Sequence, residues 1–151
     1  VHRLVEGRPL VLGGVTIPWE KGLLGHSDAD VALHALMDAM LGALGEGDIG
    51  RHFPDSDEQY RGIASTELLR RVVELARNKG YRVGNCDVTI VAQAPKLAPY
   101  IEEMRANVAR VLGVDVSRVN IKATTTERLG FEGEGLGISA QAVAVMRSEA
   151  K

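Results

Sequence analysis

Four histidines, His2, His26, His34 and His52, stand among several carboxylates in this chain. Asp30, His34 and Asp38 are spaced four apart, so on a helix they share one face. A histidine with carboxylates one turn away has its tautomer and orientation constrained, which suits a metal ligand oriented by Asp30 and Asp38. The same spacing also suits a solvated polar stripe. His26-Ser27-Asp28 stands just ahead of that helix, where free N–H groups and the helix dipole favour an anion. A histidine and a hydroxyl there can donate to a phosphate, and a plain cap beside a surface histidine is the alternative.

Three further segments carry usable groups. Gly47-Asp48-Ile49-Gly50, continuing to Phe53-Pro54-Asp55-Ser56-Asp57, combines flexible glycines with three carboxylates. Carboxylates accept hydrogen bonds from sugar or polyol hydroxyls, although Asp, Ser and Gly are also ordinary turn formers. Ala92-Gln93-Ala94-Pro95-Lys96-Leu97 leaves a strand end. Its small residues expose backbone groups to a base edge, and Lys96 can reach a phosphate; a bare connection has the same composition. Lys122-Ala123-Thr124-Thr125-Thr126-Glu127 ends a strand in three hydroxyls and a carboxylate. Hydroxyls hold phosphate oxygens, and a carboxylate holds Mg²⁺ or Mn²⁺ beside them, yet threonine is also simply a good strand residue. Cys86 reads as a small core residue.

The elements that must position these groups follow from periodicity. Residues 9–18 read as two short strands around Gly13-Gly14, a hairpin signal. A helix is expected after Ser27, with Ser27 as N-cap, Asp30 completing a capping box, and Gly45 and Gly47 ending it. Residues 45–62 read as a long functional loop. A second helix is predicted from about Ser65 to Lys79, then a strand over 86–92, and a third helix opened by Pro99 and running to Leu112. Strands over 119–125 and 138–146 complete an interleaved, two-layer α/β pattern.

Composition narrows the classes. The 151 residues fit one domain, spanning 1–151, with 18 Lys plus Arg against 20 Asp plus Glu and a net charge of -2. That balance excludes a dedicated nucleic-acid binder. No apolar run approaches the ~18 residues of a membrane span, and one cysteine makes no disulfide framework. The chain opens at Val1, with neither an initiator Met nor a signal-peptide pattern, so further residues are expected upstream.

Together these motifs, in this order, resemble the 2-C-methyl-D-erythritol 2,4-cyclodiphosphate synthase family of non-mevalonate isoprenoid biosynthesis. The resemblance rests on His26-Ser27-Asp28-Ala29-Asp30 with His34, on Gly47-Asp48-Ile49-Gly50 and Phe53-Pro54-Asp55, on Ala92 to Lys96, and on Lys122 to Glu127 with Gly130-Phe131. It implies an α/β (α+β) fold: a two-layer sandwich of a mixed β-sheet with helices on one face, assembling as a homotrimer with sites between subunits. It implies a lyase, active in the cytoplasm or a plastid-type organelle, that cyclises a cytidine diphosphate substrate and releases CMP. No nucleic acid or membrane partner is expected.

The resemblance also implies roles by position. Zn²⁺, or another divalent ion, falls to His2 and His34 with an Asp one residue ahead of Val1. Mg²⁺ or Mn²⁺ falls to Glu127 with the substrate phosphates. His26 and Thr125 take transition-state stabilisation. Substrate contacts fall to Ser27, Asp48, Ile49, Gly50, Phe53, Pro54, Asp55, Ser56 and Asp57, to Ala92, Gln93, Ala94, Pro95, Lys96, Leu97 and Ala98, and to Thr124, Thr126 and Phe131. Glu134 occupies the position where the family carries an Arg facing a three-fold channel, and three acidic groups around that axis would repel a diphosphate. A metal-dependent phosphohydrolase and an inactive trimeric nucleotide-binding relative are the competing readings.

Overall fold

A computed structural model describes residues 1–149, so the last two residues of the domain expected over 1–151 lie outside the described residues. The elements run β1 (His2–Glu6), β2 (Leu10–Leu12), β3 (Val15–Ile17), β4 (Lys21–Leu23), α1 (Val31–Ala43), α2 (Ile49–His52), α3 (Ser65–Asn78), β5 (Tyr81–Val91), α4 (Ile101–Leu112), β6 (Val119–Thr124), α5 (Gly130–Gly133) and β7 (Gly137–Ser148). Five strands form one sheet in the order β4-β1-β7-β5-β6, and β2 pairs β3 in a separate hairpin. Only β5 and β6 run parallel; the other pairs are antiparallel. This is a mixed sheet in an α+β fold.

Alternation explains the layers. On β5, Cys86, Val88 and Ile90 are buried, while Asp87, Thr89 and Val91 face the other side of the pleat. On β7, Ala140, Ala142 and Ala144 pack against the core and Gln141, Val143 and Val145 are exposed. Small alanines let α1 lie close across β7. That helix buries Val31, Ala32, Leu33, Leu36, Met37, Met40 and Leu41, so it has almost no outer face. Helices α3 and α4 cover the rest of the layer with Leu68, Leu69, Val72 and Met104, Val108, Leu112.

The structure departs from expectation in three places. First, α1 begins at Val31 and its N-cap is Asp30, not Ser27. Ser27 Oγ instead accepts from Ala29 N–H at 3.1 Å. Second, residues 45–62 are not one loop: they hold α2 and a 3₁₀ turn over Glu58–Tyr60. Third, β1 and β4 are strands that periodicity does not predict, since β1 buries only Leu4 and β4 is three residues long, and β5 starts at Tyr81 rather than at residue 86.

Asp30 is fully buried, at 0% exposure. Its Oδ1 accepts from Gly13 N–H at 2.9 Å and Leu33 N–H at 3.1 Å, and its Oδ2 accepts from Gly14 N–H at 2.7 Å. One carboxylate thus starts α1 and ties the β2–β3 turn to it. Burial pushes the Asp30 carboxyl up, to about 7, against these three donors. The turn needs glycine: Gly13 has φ +59°, and a Cβ there would sit 2.6 Å from Met104 Cγ on α4. Among the described residues, no helix is long and apolar enough to cross a membrane.

Asp30→Asn turns one acceptor into a donor aimed at a backbone N–H. We expect a loss of about 2–3 kcal/mol of stability, read as a fall in Tm of about 4–12 °C by circular dichroism.

Candidate functional site

Two cavities collect most of the singled-out residues. The first, about 520 Å³, opens beside the N-terminal half of α1 and is lined by His2, His26, Ser27, His34, Ile49, Gly50, Phe53 and Asp55, among others. His2 enters from β1, held in register opposite Ile138 of β7. His34 lies in the first turn of α1. His2 Nε2 and His34 Nδ1 come within 3.1 Å, with the rings edge to face at 70°.

Burial keeps both rings uncharged. It lowers the pKa of His2, and it pushes that of His34 down to about 4, with proximity to His2 adding to the shift. Neutral imidazoles are the metal-binding form. Two nitrogen ligands on one tetrahedral zinc stand about 3.3 Å apart, given Zn–N bonds near 2.0–2.1 Å, so the observed spacing suits a shared divalent ion. His2 and His34 supply two donors; among the described residues no group of three His, Cys, Asp or Glu could hold a metal.

The carboxylates expected to orient His34 bond elsewhere. Asp30 is spent on the three backbone N–H groups described above. Asp38 Oδ1 accepts from Ile49 N–H at 2.9 Å, docking α2 against α1. The Nε2 of His34 instead lies 3.2 Å from Ser27 Oγ and 3.1 Å from Ser65 Oγ. Sequence reasoning missed Ser65, because a serine opening α3 reads only as a helix terminus.

The anion site expected at the start of α1 is also displaced. Leu33 N–H already bonds Asp30, and His26 and Ser27 sit in the preceding segment. There Ala29, fully buried, adopts a left-handed φ of 59°. A non-glycine residue in that region is strained, and such strain gathers at ligand sites. His26 Nε2–H donates to the Asp57 carbonyl at 2.8 Å, so the ring is oriented. Arg8 clamps the segment at both ends, donating to the Leu23 carbonyl at 2.6 Å and the Ser27 carbonyl at 2.9 Å. Asp48 caps α2 by accepting from Arg51 N–H, and Phe53 packs edge to face on Tyr60, which sequence reasoning also passed over. Asp48, Pro54, Ser56 and Asp57 do not line this cavity.

The second cavity, about 460 Å³, sits where parallel strands β5 and β6 end. Carboxyl ends of parallel strands are recurrent ligand sites. Ala92, Gln93, Pro95, Lys96, Leu97, Ala98, Thr124 and Thr125 line it; Ala94 and Thr126 do not. Gln93 Oε1 accepts from Arg128 N–H at 3.1 Å and joins the two loops. Thr125 Oγ1 accepts from Glu127 N–H at 3.2 Å. Glu127 and Arg128 both have left-handed φ, 56° and 66°. Glu127 is exposed and pairs with no cation among the described residues, leaving a hard oxygen donor free. Phe131 lines a third cavity of about 250 Å³ with His2, Arg3 and Leu136, so His2 borders both this cavity and the first. The two larger cavities share no lining residue.

The sequence profile of the YgbB family matches residues 1–147. The chain belongs to the YgbB family. A 2-C-methyl-D-erythritol 2,4-cyclodiphosphate synthase from Geobacillus kaustophilus is 67% identical over 147 residues, covering 97% of this chain and 93% of that protein. Among solved structures, a bifunctional protein from Campylobacter jejuni superposes with a TM-score of 0.93 and 42% identity, over 97% of this chain and 40% of that one. A CDP complex from Plasmodium falciparum superposes with a TM-score of 0.85 and 34% identity, over 99% of this chain and 92% of that one.

In this YgbB-family chain, both ends of the segment carrying His26 and Ser27 depend on Arg8. Arg8→Met is expected to raise amide hydrogen exchange across residues 23–28 while α3 and α4 keep theirs. Exchange mass spectrometry reads this directly.

Proposed function

We propose that this chain is a cyclodiphosphate synthase of non-mevalonate isoprenoid biosynthesis. It converts 4-diphosphocytidyl-2-C-methyl-D-erythritol 2-phosphate to 2-C-methyl-D-erythritol 2,4-cyclodiphosphate and CMP. The 67% identity over 97% of the chain to a synthase of that name carries the reading. The motif residues lining two cavities, and the relative seen with CDP, support it.

In this reaction a 2-phosphate oxygen bonds to the β-phosphorus as the bond from that phosphorus to the bridging oxygen breaks. CMP leaves with the electron pair. The attacking phosphate is already ionised at neutral pH, so charge and distance, not base strength, set the barrier. His2 and His34 would hold Zn²⁺ or another divalent ion, with the Asp that the resemblance places ahead of Val1. Glu127 would hold Mg²⁺ or Mn²⁺ with the phosphates. Ions held there would supply charge neutralisation and orientation for the polyanion.

The residues around them do the positioning. Ser27 donates to a phosphate, and Asp48 and Gly50 hold the erythritol hydroxyls, with Asp55 and Phe53 beside them. Residues 92–98 receive the cytosine edge, while Lys96 and Thr124 approach the diphosphate. His26 and Thr125 stabilise the crowded phosphorus. One domain spans the chain, and three copies assemble with sites between them in the cytoplasm. Exposed Val143 and Val145 on the open sheet face, and Leu129, Phe131 and Leu136 nearby in sequence, supply apolar contact surface. The first cavity of one subunit then faces the second cavity of its neighbour.

Incubation with the substrate should yield the cyclic diphosphate and CMP in equal amounts by phosphorus NMR; CMP with only the acyclic 2,4-bisphosphate would make the chain a hydrolase. His34→Ala should abolish bound zinc by elemental analysis while the trimer persists. Thr125→Ala should lower turnover more than CMP affinity, and equal losses would count against its role.

A further inference from the structure

We propose that Ser65 is a positioning residue: together with Asp28 it fixes His34 in the tautomer whose Nδ1 faces His2 as a free lone pair. The proposal rests on the reading that His2 and His34 share a divalent ion. Its own basis is the direction of four hydrogen bonds.

Ser65 is the first residue of α3 and is fully buried, at 0% exposure. Its Oγ lies 2.5 Å from Asp28 Oδ1. A carboxylate only accepts, so the single hydroxyl hydrogen of Ser65 points at Asp28. Toward His34 Nε2, 3.1 Å away, Ser65 Oγ can then only accept. The hydrogen in that contact therefore belongs to His34 Nε2. A neutral imidazole has one N–H, so Nδ1 is bare, and it is Nδ1 that lies 3.1 Å from His2 Nε2. Two converging ring nitrogens at that distance hold one hydrogen or one cation between them.

Asp28 cannot turn away from this duty. Its Oδ1 also accepts from Asp30 N–H at 3.1 Å, and its Oδ2 accepts from Ser65 N–H at 3.0 Å. Its own N–H donates to the Ile63 carbonyl at 3.1 Å. The direction of the Ser65 hydroxyl is thereby locked by backbone from two segments. Ser27 Oγ, at 3.2 Å from His34 Nε2, already accepts from Ala29 N–H. It can share the Nε2–H as a second acceptor, and its own hydrogen is free to point into the first cavity, which Ser27 lines. The same chain that orients a metal ligand thus leaves Ser27 a donor for an anionic ligand. Outer partners of this kind change metal affinity roughly 10–100-fold when removed.

The test reads tautomer and affinity separately. In metal-free protein, long-range ¹H–¹⁵N spectra of the histidine rings should show His34 as the Nε2–H form. Ser65→Ala should give a mixture of tautomers and weaken zinc, measured by chelator competition, by roughly 10–100-fold. Ser65→Cys fills the same space with a poor hydrogen-bonding group and should show the same loss if the alanine variant fails to fold. Restored Nε2–H tautomer and zinc affinity in Ser65→Thr would support the hydroxyl's role. Wild-type tautomer and wild-type affinity in folded alanine or cysteine variants would overturn the proposal. Wild-type protein that takes up no zinc but keeps the Nε2–H form would overturn the metal reading, while supporting the hydrogen-bond chain.

Discussion

The structure turns on one buried carboxylate. Asp30 satisfies three backbone N–H groups that would otherwise be stranded in the core: two from the Gly13-Gly14 turn and one from the first turn of α1. An unsatisfied buried donor costs about 1–3 kcal/mol, so the carboxylate stabilises both the hairpin turn and the start of the helix. The Gly13 turn in turn lies against Met104 of α4. Asp30 thereby links hairpin, first helix and fourth helix, and sets where α1 begins. His34 falls one turn later, beside the cavity, and Asp38 two turns later, where it docks α2. Geometry useful to the site is inherited from a contact made for folding.

A second constraint is electrostatic. The proposed substrate is a polyanion, while the chain carries a net charge of -2. Charge is therefore handled locally. In the proposed reading, Ser27 and Lys96 are donors, and His2, His34 and Glu127 would hold cations rather than be cations. Burial lowers the pKa of both histidines, which favours the neutral form that suits a metal ligand over a phosphate-binding charge. The division into two cavities fits this logic. His2 on β1 and His34 on α1 border one cavity, and the small-residue loop over 92–98 borders the other at the ends of β5 and β6. A single chain presents the two cavities without a shared lining residue, and in the proposed assembly a second copy would supply the juxtaposition.

Much of this was legible in the sequence, for identifiable reasons. The Gly13-Gly14 hairpin, the apolar stripe of α3 and the alternation of β7 express simple periods, and the structure follows them to within a few residues. What escaped depends on contacts distant in sequence. Asp30 reads as a member of a capping box behind Ser27; its real duty depends on a hairpin turn sixteen residues earlier. The Asp30–His34–Asp38 row looks like an outer helix face, but α1 is buried nearly all round, so the row runs from core to surface along a cavity wall. Ser65 lies 31 positions from His34, and only packing of α3 beside α1 brings them together. Strands β1 and β4 are short, and β1 carries His2, which borders the first cavity, where alternation would ask for an ordinary strand residue.

The central claim is a site completed between copies, with the histidine half from one chain and the Glu127 half from the next. Subunit complementation tests it most directly. His34→Ala and Glu127→Ala are each expected to be inactive alone. Dissociated, mixed in equal amounts and reassembled, they should regain roughly a quarter of wild-type activity, because random assembly around a closed ring pairs two intact halves at one site in four. A mixture as inactive as its parents, despite verified mixed assemblies, would contradict the account.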